Sequence, residues 1–329
     1  MTTYIVRRLL LLVPTLLGIT LLTYFLVRES PNNAALMKTG GAAMAGRAMT
    51  AEAREQTIKL LGLDKNPIIG YRDWLWRALH LDLGESLVDH RPVSEKIRER
   101  LPLTLSLAAA ALLLSYLISI PLGVVAAIRR GELLDRSISF TVFLLYSIPN
   151  FGMALMLILL VAGGDYLNLL PMYGKSSINA PEMGWLAFVW DRILHMILPV
   201  ICLTYASLAS TSRYARVSMI EALGQDFVRT ARAKGLSQRT VIFKHALRNA
   251  LIPIITIFAL DLAPLLSGAI IIEEIFTLPG MGQLLFTSID AGDESVIMGI
   301  TLVAAVVTLL SYLLADILYV VVDPRISYS

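Results

Sequence analysis

This 329-residue chain has one cysteine and four scattered histidines. A single thiol allows no intramolecular disulfide, and Cys202, inside an apolar stretch, reads as a small packing residue. His80, His90, His195 and His245 lack metal-ligand spacing. Charge is scarce too: 16% of residues are charged, where soluble domains carry about a quarter. The net charge of +3 is too small to imply a nucleic-acid partner, and the basic residues lie in loops rather than on one face. A nucleotide site is also missing. Gly40 to Gly46 spells Gly-x4-Gly, but Arg47 and Ala48 stand where a phosphate loop needs Lys and Ser/Thr, and no buried strand precedes it. The expectation is a chain with no catalytic residues, no metal and no cofactor.

What the chain has is long uncharged runs. Apolar residues make up 56%, and they cluster. Leu103 to Ile128, Ser137 to Gly164 and Ser295 to Ala315 carry no charge over 26, 28 and 21 residues. A bilayer core of ~30 Å needs about 20 helical residues. The reading is an all-α membrane protein with six transmembrane helices, near 5–27, 103–128, 138–162, 193–212, 251–273 and 295–319. The first is taken as a retained anchor rather than a signal peptide. Leu9 to Val27 is longer than a signal core, and no small-residue cleavage site follows near Arg28.

Short loops give the orientation. Arg7 and Arg8 precede the first span, and Arg129, Arg130 and Arg136 lie between the second and third. The loop 213–250 holds Arg213, Arg216, Arg229, Arg232, Lys234, Arg239, Lys244 and Arg248 against Glu221 and Asp226. The opposite loops, 163–192 and 274–294, have only Lys175 and Arg192 as basic residues. The positive-inside rule puts both termini and the 213–250 loop in the cytoplasm. Segment 29–102 is long enough to escape that rule. The expected organisation is therefore 1–28 as the cytoplasmic N-terminus and first span, 29–102 as an external segment, and 103–329 as a core with five spans. Trp74, Trp76, Trp185 and Trp190 then fall outside, as an interfacial belt would require. Within the external segment Thr50 can cap a short helix with Ile58, Leu60 and Leu61 on one face, and Gly62 can stop it.

The stretch from Glu221 to Pro253 carries the most information. Asp226 can cap a short helix that Gly235 ends in a left-handed conformation, and Ser237 can cap a second helix running toward Pro253. The result is a compact helix-turn-helix between two spans. Ala231 and Ala233 would keep its surface small enough for another protein to approach closely. A solvated basic loop that fixes topology or touches anionic lipid fits the same residues.

This segment resembles the cytoplasmic loop of permease subunits in binding-protein-dependent ABC importers, and in particular the dipeptide/oligopeptide permease family. The resemblance rests on R-T-A-R-A-K-G-L (Arg229 to Leu236) followed by H-A-L-R-N-A-L-I-P (His245 to Pro253). Other matches are Arg7-Arg8 with Pro14-Thr15, Leu81-Asp82-Leu83-Gly84-Glu85-Ser86, Ile120-Pro121-Leu122-Gly123, Ile197-Leu198-Pro199, Leu278-Pro279-Gly280-Met281-Gly282 and Asp323-Pro324-Arg325. Two positions depart from the general importer pattern, Arg229 in place of a Glu and Leu247-Arg248 in place of Leu-Pro, as is usual in the peptide subgroup.

The resemblance implies a type I ABC importer permease fold in the bacterial inner membrane. It also implies a non-identical second permease subunit, two cytoplasmic ABC ATPases that perform the hydrolysis, and an external substrate-binding protein. Thr230, Ala231, Arg232, Ala233, Lys234, Gly235 and Leu236 would form the coupling contact with an ATPase. Nickel complexes, glutathione or peptide antibiotics are alternative cargoes within the family. An ion-driven secondary transporter, expected to show inverted repeats, and a non-transporting scaffold or receptor are the rivals outside it.

Four further residues are candidates for the pathway. Asp261 lies about mid-span, where an isolated carboxylate costs roughly 2.5–3.5 kcal/mol. It reads as a pathway residue, as half of a pair with the partner subunit, or as a protonated hydrogen-bonding acid. The resemblance places Glu273 and Glu274, at the outer end of that span, and Gly280 in the following loop near the external mouth of the pathway; the two glutamates read equally as solvated charges at a helix end. Pro149 and Asn150 are expected to kink the third span.

Overall fold

A computed structural model describes residues 2–30, 55, 58, 64–162, 166–266 and 269–322. Thr50, Leu60, Leu61 and Gly62, the Gly40–Gly46 stretch and Asp323-Pro324-Arg325 lie outside the described residues.

The regular elements among the described residues are all helices, with one isolated bridge between Glu85 and Pro92. Helix α1 is Thr2–Arg28, α2 Pro67–Leu79, α3 Val93–Ile128 and α4 Leu133–Tyr146. Helix α5, Asn150–Leu157, continues as a π-helical turn over Ile158–Ala162. Helix α6 is Trp185–Gly224, α7 Asp226–Ala233 and α8 Leu247–Leu266, the last preceded by a turn over Gln238–Thr240 and a π-helical segment over Val241–Ala246. Helices α9 Ile270–Ile275, α10 Met281–Ala291 and α11 Glu294–Val322 complete the order. Among the described residues five helices are long and apolar enough to cross a membrane, and six spans result if the bent α4–α5 pair counts as one. Their outer faces are greasy: Leu113, Leu117, Phe140 and Phe143 are each more than 60% exposed, a pattern suited to lipid rather than water.

Helices overrun the spans read from hydropathy. The second span, expected from 103, begins at Val93, and the fourth, expected over 193–212, occupies 40 residues of α6. At 1.5 Å per residue α6 is about 60 Å long, twice the thickness of the hydrocarbon core. Hydropathy marks where lipid stops; backbone hydrogen bonding continues into water. The third span breaks where it was expected to. Helices α4 and α5 meet at 92° across residues 147–149, because Pro149 has no amide to continue the ladder and forces Ile148 out of the helical region.

The chain divides into two compact units. One comprises Met1–Thr104 and Pro279–Leu309, the other Leu105–Leu278 and Leu310–Ser329. In the first, α1 packs on α2 through Tyr24, Tyr71 and Trp74, with Thr20 Oγ1 3.0 Å from the Tyr71 hydroxyl. Trp74 is 8% exposed, so it belongs to this core and not to an interfacial belt; Trp76, Trp185 and Trp190 remain exposed. The Leu81–Ser86 motif is fastened to the start of α11. The Ser86 hydroxyl donates to Asp293 Oδ2 at 2.5 Å, and the Leu87 amide to Oδ1 at 3.0 Å. Asp293 also caps α11 by accepting from the Val296 amide at 3.5 Å. Beside it, Lys96 donates to Asp89 at 3.0 Å. Burial pushes the Asp89 carboxyl up, but the bonds from Lys96, Ser86 and the Arg91 amide outweigh it and hold it at about 2. Asp293→Ala removes a cap and strands two donors, and should lower stability by about 2 kcal/mol or more. Thermal unfolding in detergent reads the loss, and Asp293→Asn, which keeps one acceptor and the cap, should recover part of it.

Candidate functional site

The hairpin begins where α6 ends. Gln225 takes an extended backbone (φ −76°, ψ 153°) and turns the chain into α7. Asp226, read from sequence as the cap, is the first residue of α7, and Gln225 holds the cap position without a side-chain bond. The aspartate complements the helix dipole from within the first turn. Its exposed pair with Arg229 at 3.3 Å adds little.

The end of α7 is a Schellman motif. The Leu236 amide bonds to the Ala231 carbonyl at 3.4 Å and the Gly235 amide to the Arg232 carbonyl at 3.0 Å, with Gly235 at φ +73°. The left-handed glycine stop thus stands where the sequence put it. Ser237 then caps the next turn, accepting from the Thr240 amide at 3.4 Å. The chain passes through the π-helical Val241–Ala246 into α8. Pro253 lies inside α8 rather than at its end.

Eight residues of α7 cannot hold themselves together; packing does it. Val228 and Ala231, one turn apart, point inward against Val241, Ile242, Ala246 and Ala250 and against Val124, Ala127, Met219 and Ala222 of α3 and α6. Ala231 is only 4% exposed. Its small size serves this interior contact. Thr230, Arg232, Ala233, Lys234, Gly235 and Leu236 are exposed. Around them the apolar Phe227, Leu236 and Phe243 stand in water, each at least 40% exposed, among Arg229, Arg239 and Lys244. The arrangement is a rigid, basic knob with an apolar tip, keyed into the ends of three long helices.

The other candidates disperse. Asp261 is reached by the Tyr116 hydroxyl, which donates to Oδ2 at 2.8 Å, and the Tyr116 ring meets Phe258 edge-on at 5.2 Å. The partner is within the chain, 145 residues away, and no sequence signal links the two. Glu273 and Glu274 are not equivalent. Glu273 is 1% exposed and Glu274 is exposed, since successive residues of a helix face directions 100° apart. A pair of solvated end charges is therefore wrong for Glu273. Gly280 is buried, with an extended backbone at the head of α10, and the neighbouring Met281 amide donates to Thr104 Oγ1 at 2.8 Å.

Sequence reading also missed a salt bridge. Arg216 of α6 grips Asp135 of α4 with two bonds, Nε to Oδ1 at 2.7 Å and Nη2 to Oδ2 at 2.8 Å. Among the described residues no three His, Cys, Asp or Glu side chains gather as a metal would require.

Comparison with known proteins gives this arrangement its context. The family model for the binding-protein-dependent transport system inner membrane component matches residues 119–328, and the N-terminal model of the same systems matches residues 1–108. The oligopeptide transport system permease protein AppB of Bacillus subtilis is 40% identical over the full length of both chains. The dipeptide transport system permease protein DppB of Escherichia coli K12 is 38% identical, again over both full lengths. Among solved structures, a chain of the MetNI methionine ABC transporter, in an inward-facing form, superposes with a TM-score of 0.53. That match covers 69% of this chain and 96% of that one, at 18% identity. The fold is thus that of an ABC importer permease. By family models that together span most of its length and by relatives matched end to end, the chain belongs to the inner membrane components of binding-protein-dependent transport systems.

Proposed function

We propose that the chain is one of two non-identical permease subunits of an ATP-driven importer for di- and oligopeptides, and that Thr230–Leu236 is the contact through which cytoplasmic ATPases move it. One observation carries the cargo: relatives 40% and 38% identical over their whole length are permease proteins of oligopeptide and dipeptide transport systems. The motor is external, since the sequence has no phosphate loop. An exposed, basic, apolar-tipped hairpin welded to three long helices is suited to a groove with an apolar floor and an acidic rim. Both termini and the hairpin lie in the cytoplasm, and segment 29–102 lies outside, where a substrate-binding protein delivers peptide. Asp261 has the strongest claim among the pathway candidates, as a partly exposed acid in a span. Cargo crosses between the two permease subunits, and this chain converts a domain motion into alternating access.

The test is uptake. Right-side-out or reconstituted vesicles holding the permease pair and both ATPases, with the binding protein outside, should accumulate labelled di- or tripeptide only when ATP is enclosed within them. Uptake that persists without ATP and collapses with an uncoupler would contradict the proposal, as would uptake of a nickel complex with no uptake of peptide.

A further inference from the structure

The inner third of α6 is fastened to two other spans at one level. Arg216 and Asp135 form the planar two-bond pair that only a guanidinium makes, and the Gly131 amide, at φ +82°, adds a bond to Asp135 Oδ2 at 2.9 Å. Asp135 is 3% exposed, so this is no surface pair of small consequence. On the other side, α3 touches the same turn of α6. A Cβ on Gly123 would stand 2.5 Å from Ala215 Cβ and 2.8 Å from the Arg216 amide nitrogen. Three residues beyond Arg216, Met219 is fully buried in the hairpin core. Hairpin, α6, α3 and the start of α4 therefore meet in one joint. Beyond it, α4 leads into the 92° bend of the third span.

We infer that the Asp135–Arg216 pair is a transmission element: it makes the bent third span follow the hairpin when the hairpin is moved. This rests on the proposed ATP-driven import, and Arg216 and Asp135 act as positioning residues that touch neither cargo nor nucleotide. A packed contact alone lets helices slide, whereas a buried two-bond ion pair has one geometry and leaves an uncompensated charge when broken.

The experiment uses the full complex in lipid with Cys202→Ser as background. Spin labels are placed at the exposed Phe140→Cys of α4 and the exposed Gln238→Cys of the hairpin. With Asp135 and Arg216 intact, the label separation should be the same and narrow with and without ATP. Asp135→Asn should broaden it and make it nucleotide-dependent. Peptide imported per ATP hydrolysed should then fall about tenfold, within the range by which single residues alter coupling, while ATP hydrolysis continues. Arg216→Lys, which keeps the charge but loses the second bond, should fall between. The reversed pair, Asp135→Arg with Arg216→Asp, should restore part of both readouts. A separation in Asp135→Asn identical to that of the intact pair would overturn the inference, as would unchanged transport per ATP. A uniform loss of co-purifying ATPase in Asp135→Asn and Arg216→Lys would overturn it too, by making the pair a folding element. The label separation needs no cargo, so it tests the joint even if the peptide reading fails.

Discussion

Replacing Ala231 by glutamate should unfold the hairpin between α6 and α8. The methyl group is 4% exposed, among Val228, Val241, Ile242 and Ala246. An uncompensated buried charge costs roughly 3–5 kcal/mol, and forcing extra atoms into a filled core costs more. Against a whole-protein stability of about 5–15 kcal/mol that is a large fraction. The hairpin is held by packing rather than by its own eight-residue helix, so the loss should appear there first. The expected result is rapid proteolytic cleavage between residues 225 and 240 and a lowered unfolding temperature in detergent. Ala233→Glu, two residues on, points into water and should change stability by less than about 0.5 kcal/mol. If that second variant folds normally yet no longer retains the ATPases, folding and docking are separated within one turn of helix. Equal stability of the two variants would contradict the assignment of Ala231 to the interior.

The second large effect is expected at Gly123. A Cβ there meets Ala215 Cβ at 2.5 Å, the Ser212 carbonyl oxygen at 2.7 Å and the Arg216 amide nitrogen at 2.8 Å. Carbon atoms in contact stay about 3.5–4.0 Å apart, and two of these three neighbours are backbone atoms that no rotamer change can move. Gly123→Val must therefore push α3 away from α6. Overpacking of this kind costs about 1–3 kcal/mol where the core can yield, and more where it cannot. The protein should accumulate poorly and run as aggregate on size exclusion. Gly123→Ala with Ala215→Gly relieves one of the three clashes and should be the better-behaved variant of the pair. A monodisperse Gly123→Val protein with an unchanged unfolding temperature would show that the helices do not approach so closely.

Much of this fold was legible because a bilayer writes its demands in linear form. Uncharged runs such as Leu103 to Ile128 mark the spans, and Pro149 marks the break in the third. The hairpin was legible for a local reason as well: a left-handed glycine and a serine cap act over three or four residues, so Gly235 and Ser237 announce their turns. What escaped was everything set by contact at a distance. Nothing near Asp135 names Arg216, 81 residues on, and Tyr116 and Asp261 are further apart still. Ala231 and Ala233 look alike in sequence, and only the direction of a helix face separates the buried one from the exposed one. The same geometry divides Glu273 from Glu274. Trp74 shows the matching error for aromatics: composition suggested an interfacial belt, while Tyr24 and Tyr71 were waiting to bury it.

The account stands on the hairpin tip being seized by a motor that is a separate polypeptide. A photoactivatable cross-linker carried at Lys234, in membranes that are importing peptide, measures this directly. The predicted product is a covalent adduct with an ATP-hydrolysing subunit, formed at Lys234 and weakened when Ala233→Glu is introduced. Adducts with lipid alone, in membranes that still import, would contradict it.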